Sequence, residues 1–234
     1  MSNLQENELF LHLLIERGIL AFAPTAGSDQ RKRPLSRRKR QLVNLVDLPG
    51  LPEEREAAID LLCARIRASA GEKAHPIEAV ACTPHVSSWI GHLVASRLRA
   101  SIIEPVWPLL LEHKRQSTED GEYAATLTGS VPMYAHTWIV DGDPDTERGM
   151  RVLRCADAIQ STAIGCHVLG IACFFERTGE TRERVSKALP NASFVSLYNV
   201  ADVLQEFADG KDPALVDPAL ARRHLQQLRH AQAS

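Results

Sequence analysis

Three stretches of the 234-residue chain bring together residue types that could do chemistry. The first is Asp141-Gly142-Asp143-Pro144-Asp145-Thr146-Glu147-Arg148-Gly149, which follows the apolar run Thr137-Trp138-Ile139-Val140. An acid at a strand end, then a small-residue turn and a helix, suits a sugar hydroxyl or a phosphate. The same acids would also serve as a helix N-cap cluster. An EF-hand calcium loop is disfavoured, because Thr146 stands at the turn glycine and Val152 at the bidentate acid. The second stretch is Thr83-Pro84-His85-Val86-Ser87-Ser88, where His85 and Ser87 could touch a ligand or simply be polar loop residues. The third is Glu112-His113-Lys114-Arg115, at the start of a polar segment read as a flexible loop over 112–122. Arg177 stands apart from these. It suits an anionic ligand, or an ion pair with Glu176 or Glu180.

Charge is unevenly distributed. Residues 31–40 (RKRPLSRRKR) hold seven of the 27 Lys and Arg, leaving 20 bases against 29 acids, or −9, elsewhere. This excludes a protein basic throughout that coats nucleic acid, yet allows a local anion site around Arg33, Arg37 and Arg38. The segment reads equally as a solvated hairpin tip, an electropositive wall of an anion site, or a contact for nucleic acid or an acidic partner. No aromatic residue is interleaved, so stacking on single strands is unsupported. The five cysteines include no C-x-x-C pair and read as buried thiols of a reducing cytoplasm. A signal peptide and a membrane span are not expected, so the chain is expected in the cytoplasm without membrane contact.

The elements that must position these residues follow from periodicity. Apolar residues at 44% and charged residues at 24% allow a sizeable core. Helices are expected over 4–16, 52–70, 87–98, 146–162, 180–189 and 199–208. Strands are expected over 42–46, 77–82, 101–105, 137–140, 167–175 and 194–197, with an extended segment at 124–130. An amphipathic stretch at 220–228 reads as an appended helix. Strands alternating with helices indicate an α/β fold, a parallel sheet flanked by helices. Ligands of such sheets bind at the carboxyl ends of the strands.

In layout the chain resembles the type I phosphoribosyltransferases, orotate phosphoribosyltransferase most of all. The likeness runs over roughly residues 4–208. RPLSRRKRQLVNLVDLP looks like that family's hairpin and following strand, and IEAVACTPHVSSWIGHLVASRL like its strand, pyrophosphate loop and helix. GIACFFERTGETRERV looks like the strand ending in Asp-Arg-Gln-Glu, and FVSLYNVADVLQEF like the last strand and helix. The resemblance implies a small N-terminal hood over 1–50, a core over 51–210 and a C-terminal helical tail over 211–234. It also implies a homodimer, a ligand such as phosphoribosyl pyrophosphate (PRPP) or a nucleotide, and Mg²⁺ if the chain is active. Asp141 fits the first of two ribose-binding acids and would hold the metal. Thr146, Arg148 and Gly149 fall in the phosphate loop, and Arg177 matches the arginine that contacts the base carboxylate. His85 and Ser87 fall in the pyrophosphate loop, while His113 and Lys114 are counterparts of the catalytic loop.

The departures carry equal weight. Gly142 stands where the second acid belongs. Asp145 and Glu147 would face a phosphate dianion, where like charges about 4 Å apart repel by roughly 4 kcal/mol per unit charge product. Pro84 replaces a backbone donor. The expected function is therefore an orotate phosphoribosyltransferase-like protein impaired in PRPP-dependent transfer, with a nucleotide or phosphosugar binding or regulatory role. The alternatives are an active transferase joining PRPP to an anionic base such as orotate, and a nucleic-acid or acidic-partner module using residues 31–40.

Overall fold

The computed structural model describes residues 3–17, 20, 50–71, 76–83, 88–99, 107–115, 123–128, 134–144, 149–162, 165–177 and 179–233. By contacts the chain divides into two units. One is Met1–Ala57 with Val200–Ser234, the other Ala58–Asn199.

The larger unit is built on a six-stranded sheet of order β3-β2-β1-β4-β5-β6. Its strands are β1 (Ala79–Cys82), β2 (Trp107–Arg115), β3 (Tyr123–Thr128), β4 (His136–Asp141), β5 (His167–Glu176) and β6 (Ser193–Asn199). All pairings are parallel except β2 with β3, so one antiparallel strand edges an otherwise parallel sheet. Strands β1, β4 and β5 are buried almost throughout, as expected where both faces of a sheet are covered.

Alternation along these strands sorts the two faces. Ala79, Ala81, Ile139, Ile171 and Cys173 form one core cluster with Val152, Cys155, Ala156 and Ile159 of α4 (Met150–Thr162) and Val185 of α5 (Glu180–Ala188). The α4 residues follow an i, i+3, i+4, i+7 stripe, which places them on one helix face. Phe174, of opposite parity, meets Trp89 of α3 (Ser88–Arg99) edge-on, with ring centroids 6.2 Å apart. Gly91 lets α3 approach β1 closely, because a Cβ there would meet the Cys82 side chain.

The smaller unit holds α1 (Asn3–Glu16), the start of α2 (Pro52–Gly71), α6 (Val200–Ala208) and α7 (Pro218–Ala233). Helix α6 ends in a paired-carbonyl cap. Gly210 takes φ +90, its N–H reaches Phe207 O at 3.0 Å, and Lys211 N–H reaches Glu206 O at 3.1 Å. Asp217 caps α7, accepting the Ala219 N–H at 2.9 Å, with Pro218 as the first helical residue. Lys211 bridges Glu8 of α1 at 2.9 Å and Glu206 of α6 at 2.7 Å.

The expected α/β architecture is present, including the helix at the C-terminus. One expectation is corrected. Glu112 to Arg115, whose polarity suggests a loop, is the end of β2, paired residue by residue with Tyr123 to Thr126. Antiparallel pairing engages the backbone whatever the side chains are, so polarity alone did not mark a loop. The strands expected at 42–46 and 101–105 lie outside the described residues.

Candidate functional site

The parallel ladder brings three strand ends together. Thr83 N–H donates to Val140 O at 3.1 Å, and Phe175 N–H donates to Gly142 O at 3.1 Å, so pairing continues just past β1 and β4. The last residue of β4, Asp141, is wholly buried, and so is the last of β5, Glu176. Two buried carboxylates at one end of a sheet need strong partners.

Asp141 finds its partner in the first turn of α4. Arg151 Nε donates to Oδ2 at 3.0 Å, and its Nη2 lies 2.7 Å from Oδ1 and 2.8 Å from Oδ2. The Asp143 N–H donates to Oδ1 at 3.0 Å. The same Arg151 Nη2 also reaches the Asp143 carbonyl at 3.1 Å. The Asp143 carboxylate is held from the far side by Arg177, with Nη2 at 2.6 Å and Nε at 3.0 Å from Oδ2. Glu176 is gripped by Arg182 of α5 at 2.6 and 3.1 Å, and the Ser196 hydroxyl donates to it at 3.1 Å. Arg182 also donates to the Phe194 carbonyl at 2.8 Å and lies 4.8 Å from the centre of the Phe194 ring. Among the described residues, Asp141, Asp143 and Glu176 are thus each matched by an arginine, and the linked group Asp141, Arg151, Asp143 and Arg177 sums to zero formal charge.

Gly149 joins this loop to α4. Its N–H donates to Pro144 O at 3.1 Å, and its φ is +78. A Cβ there would sit 3.0 Å from Thr181 Cγ2, so both backbone and neighbour ask for glycine.

Of the residues singled out from the sequence, Asp141, Arg177 and Gly149 lie at this end of the sheet. Arg177 takes neither Glu176 nor Glu180 as partner. Arg182 already holds Glu176, Arg184 pairs with Glu180 at 3.4 Å, and Arg177 turns to Asp143. His113 and Lys114 stand in β2, in register with Ala125 and Ala124, rather than in a loop. Thr146, Arg148, His85, Ser87, Arg33, Arg37 and Arg38 lie outside the described residues. Sequence reasoning missed Arg151. A cation in the first turn of a helix opposes the helix dipole, and that was the available sign that it serves a specific acid.

No family model matches the chain, and no curated protein matches it in sequence. Solved structures do match in shape. Orotate phosphoribosyltransferase from Francisella tularensis is similar at TM-score 0.60 and 10% identity, covering 94% of this chain and 98% of that one. UMP synthase from Leishmania donovani is similar at TM-score 0.58 and 12% identity, over 94% of this chain and 42% of that one. Orotate phosphoribosyltransferase from Aeropyrum pernix is similar at TM-score 0.51 and 15% identity, over 70% and 82%. At such identities the likeness is one of fold.

Proposed function

Because the chain has a type I phosphoribosyltransferase-like fold, we propose that it is a divergent relative of orotate phosphoribosyltransferase, impaired in PRPP-dependent transfer, that keeps a binding role for a nucleotide or phosphosugar. The observation that carries this reading is the Asp141–Arg151 pair. An acid that holds ribose hydroxyls must offer its oxygens to a ligand. Asp141 accepts three hydrogen bonds shorter than 3.0 Å or equal to it from Arg151 and one from the Asp143 N–H, and its side chain is 0% exposed.

The same geometry bears on Mg²⁺. That ion demands near-octahedral oxygen ligation and retains several waters, so its carboxylate ligands must be reachable from solvent. A buried carboxylate already gripped by a guanidinium does not fit it. Among the described residues no cluster of three or more His, Cys, Asp or Glu could hold a metal.

What the chain's own groups offer instead is a pair of partly exposed arginines beside the strand ends. Arg151 and Arg177 keep 15% and 25% of their side-chain surface exposed. An anionic group at this end would meet guanidinium edges, which suit phosphate and carboxylate oxygens.

Thermal shift with nucleotides and phosphosugars tests the binding role, because a ligand of the folded state stabilises it by about 2.7 kcal/mol at a hundredfold excess over Kd. The expected result is a shift from at least one phosphosugar or nucleotide that does not depend on Mg²⁺. A complete absence of shifts removes the binding role. Micromolar PRPP affinity that appears only with Mg²⁺ and leads to turnover of orotate overturns the impairment.

A further inference from the structure

The strand-end cluster also fixes which part of a ligand it can read. A carboxylate has about four lone-pair sites with which to accept hydrogen bonds. Asp141 accepts from the chain itself at each of them. Arg151 donates to it at 2.7, 2.8 and 3.0 Å, and the Asp143 N–H donates at 3.0 Å.

The neighbouring acids are engaged in the same way. Asp143 accepts from Nε and Nη2 of Arg177, and Glu176 accepts from Arg182 and the Ser196 hydroxyl. Gly142, between the two aspartates, adds no side chain. The side chains of Asp141 and Glu176 are fully buried and that of Asp143 is 10% exposed, whereas Arg151, Arg177 and Arg182 keep 15%, 25% and 44%. For these six residues, the surface open to solvent therefore belongs mainly to the arginines.

Carboxylates and guanidinium groups read different parts of a sugar phosphate. A hydroxyl donates to a carboxylate, so a site that holds a sugar through an acid discriminates against the analogue that lacks the hydroxyl. A guanidinium carries only donors and matches phosphate oxygens. Arg151 also stands in the first turn of α4, where the positive pole of the helix adds to its own charge.

We infer that Arg151 sets the specificity of this end of the sheet. By occupying Asp141 it removes the reading of sugar hydroxyls, and the ligand is recognised by its phosphate, so ribose and 2-deoxyribose phosphates bind alike. The inference rests on the binding role proposed above. That role concerns whether a sugar phosphate binds at all; Arg151 decides which part of it is recognised. A hydroxyl donated to an ionised acceptor contributes at least about tenfold in affinity, and the Asp141–Arg151 pair takes that factor away.

Calorimetric titration of the full chain with two matched pairs tests this: ribose 5-phosphate against 2-deoxyribose 5-phosphate, and UMP against dUMP. Neutral ribose is the control. Within each pair that binds, affinities are expected to agree within about threefold, and ribose is expected to give no binding heat. Arg151→Lys keeps the charge but replaces the planar fork by an ammonium, which returns lone pairs to Asp141. In that variant the ribose member of a pair is expected to gain at least about threefold over its deoxy partner. If the variant does not fold, the comparison within the parent chain decides by itself. A ribose member at least about tenfold tighter in the parent chain, binding of neutral ribose, or a folded Arg151→Lys without the gain would each overturn the inference and leave the binding role standing. Failure of every phosphate to bind removes the binding role and the inference with it.

Discussion

At the residue scale, the strand-end cluster works as a set of mutually dependent charges. Arg151→Ala leaves Asp141 buried without its counter-charge, and breaking such a pair costs about 3–5 kcal/mol. Urea unfolding of the variant reads this directly; a loss below about 1 kcal/mol would show that Asp141 does not depend on Arg151. Gly149→Ala should cost about 1–2 kcal/mol, the penalty of a left-handed backbone for a residue with a Cβ. A thermal melt unchanged from the parent would contradict the positive φ. The sequence picks out Asp141 and Gly149 by the pattern of a strand end, a turn and a helix, and Arg177 by its match to the family's arginine. Their partners were not legible. Arg151 lies ten residues from Asp141 and Arg177 lies 34 from Asp143, and no local pattern pairs residues across such gaps.

At the element scale, most helices and strands of the larger unit were readable from periodicity, since a covered parallel sheet leaves long apolar runs. The polar end of β2 was not, because a stretch whose backbone is paired with the edge strand β3 needs no apolar alternation. The β5 bulge was equally invisible, as it depends on how Gly170 meets Trp138. Gly170→Ala should therefore cost about 1–3 kcal/mol through overpacking, read as a lowered denaturation midpoint. In α7 the telling group is His224, which is buried. Burial holds its imidazole below the ordinary value of 6.5; Arg223 adds to this, and a hydrogen bond with Gln227 opposes it. The unfolded chain takes up that proton first as pH falls. Stability tied to His224 is thus intact above about 6.5 and is lost as pH falls below it. Thermal unfolding should drop between pH 7.5 and 5, and less so in His224→Gln; equal drops would exclude His224 as the cause.

At the scale of the whole molecule, composition foretold the thiols well. All five cysteines are buried thiols outside any disulfide, and burial pushes the Cys63 thiol up to about 12. The native protein should show no rapidly reacting thiol toward an aromatic disulfide reagent and five after denaturation; a fast native thiol would contradict this burial. The described helices include none long and apolar enough to cross a membrane. The charge asymmetry is more informative still. Part of the −9 outside residues 31–40 lies at the end of β4, where Asp141 and Asp143 are each neutralised by an arginine of the chain itself. The fold is like that of the orotate phosphoribosyltransferases, and the two acids at the end of β4 bind guanidinium groups of the chain itself. The most direct test is a transfer assay with orotate, PRPP and Mg²⁺, run on the parent chain and on Asp141→Asn. The account predicts no product above background in either. Turnover by the parent chain that disappears in Asp141→Asn would contradict it.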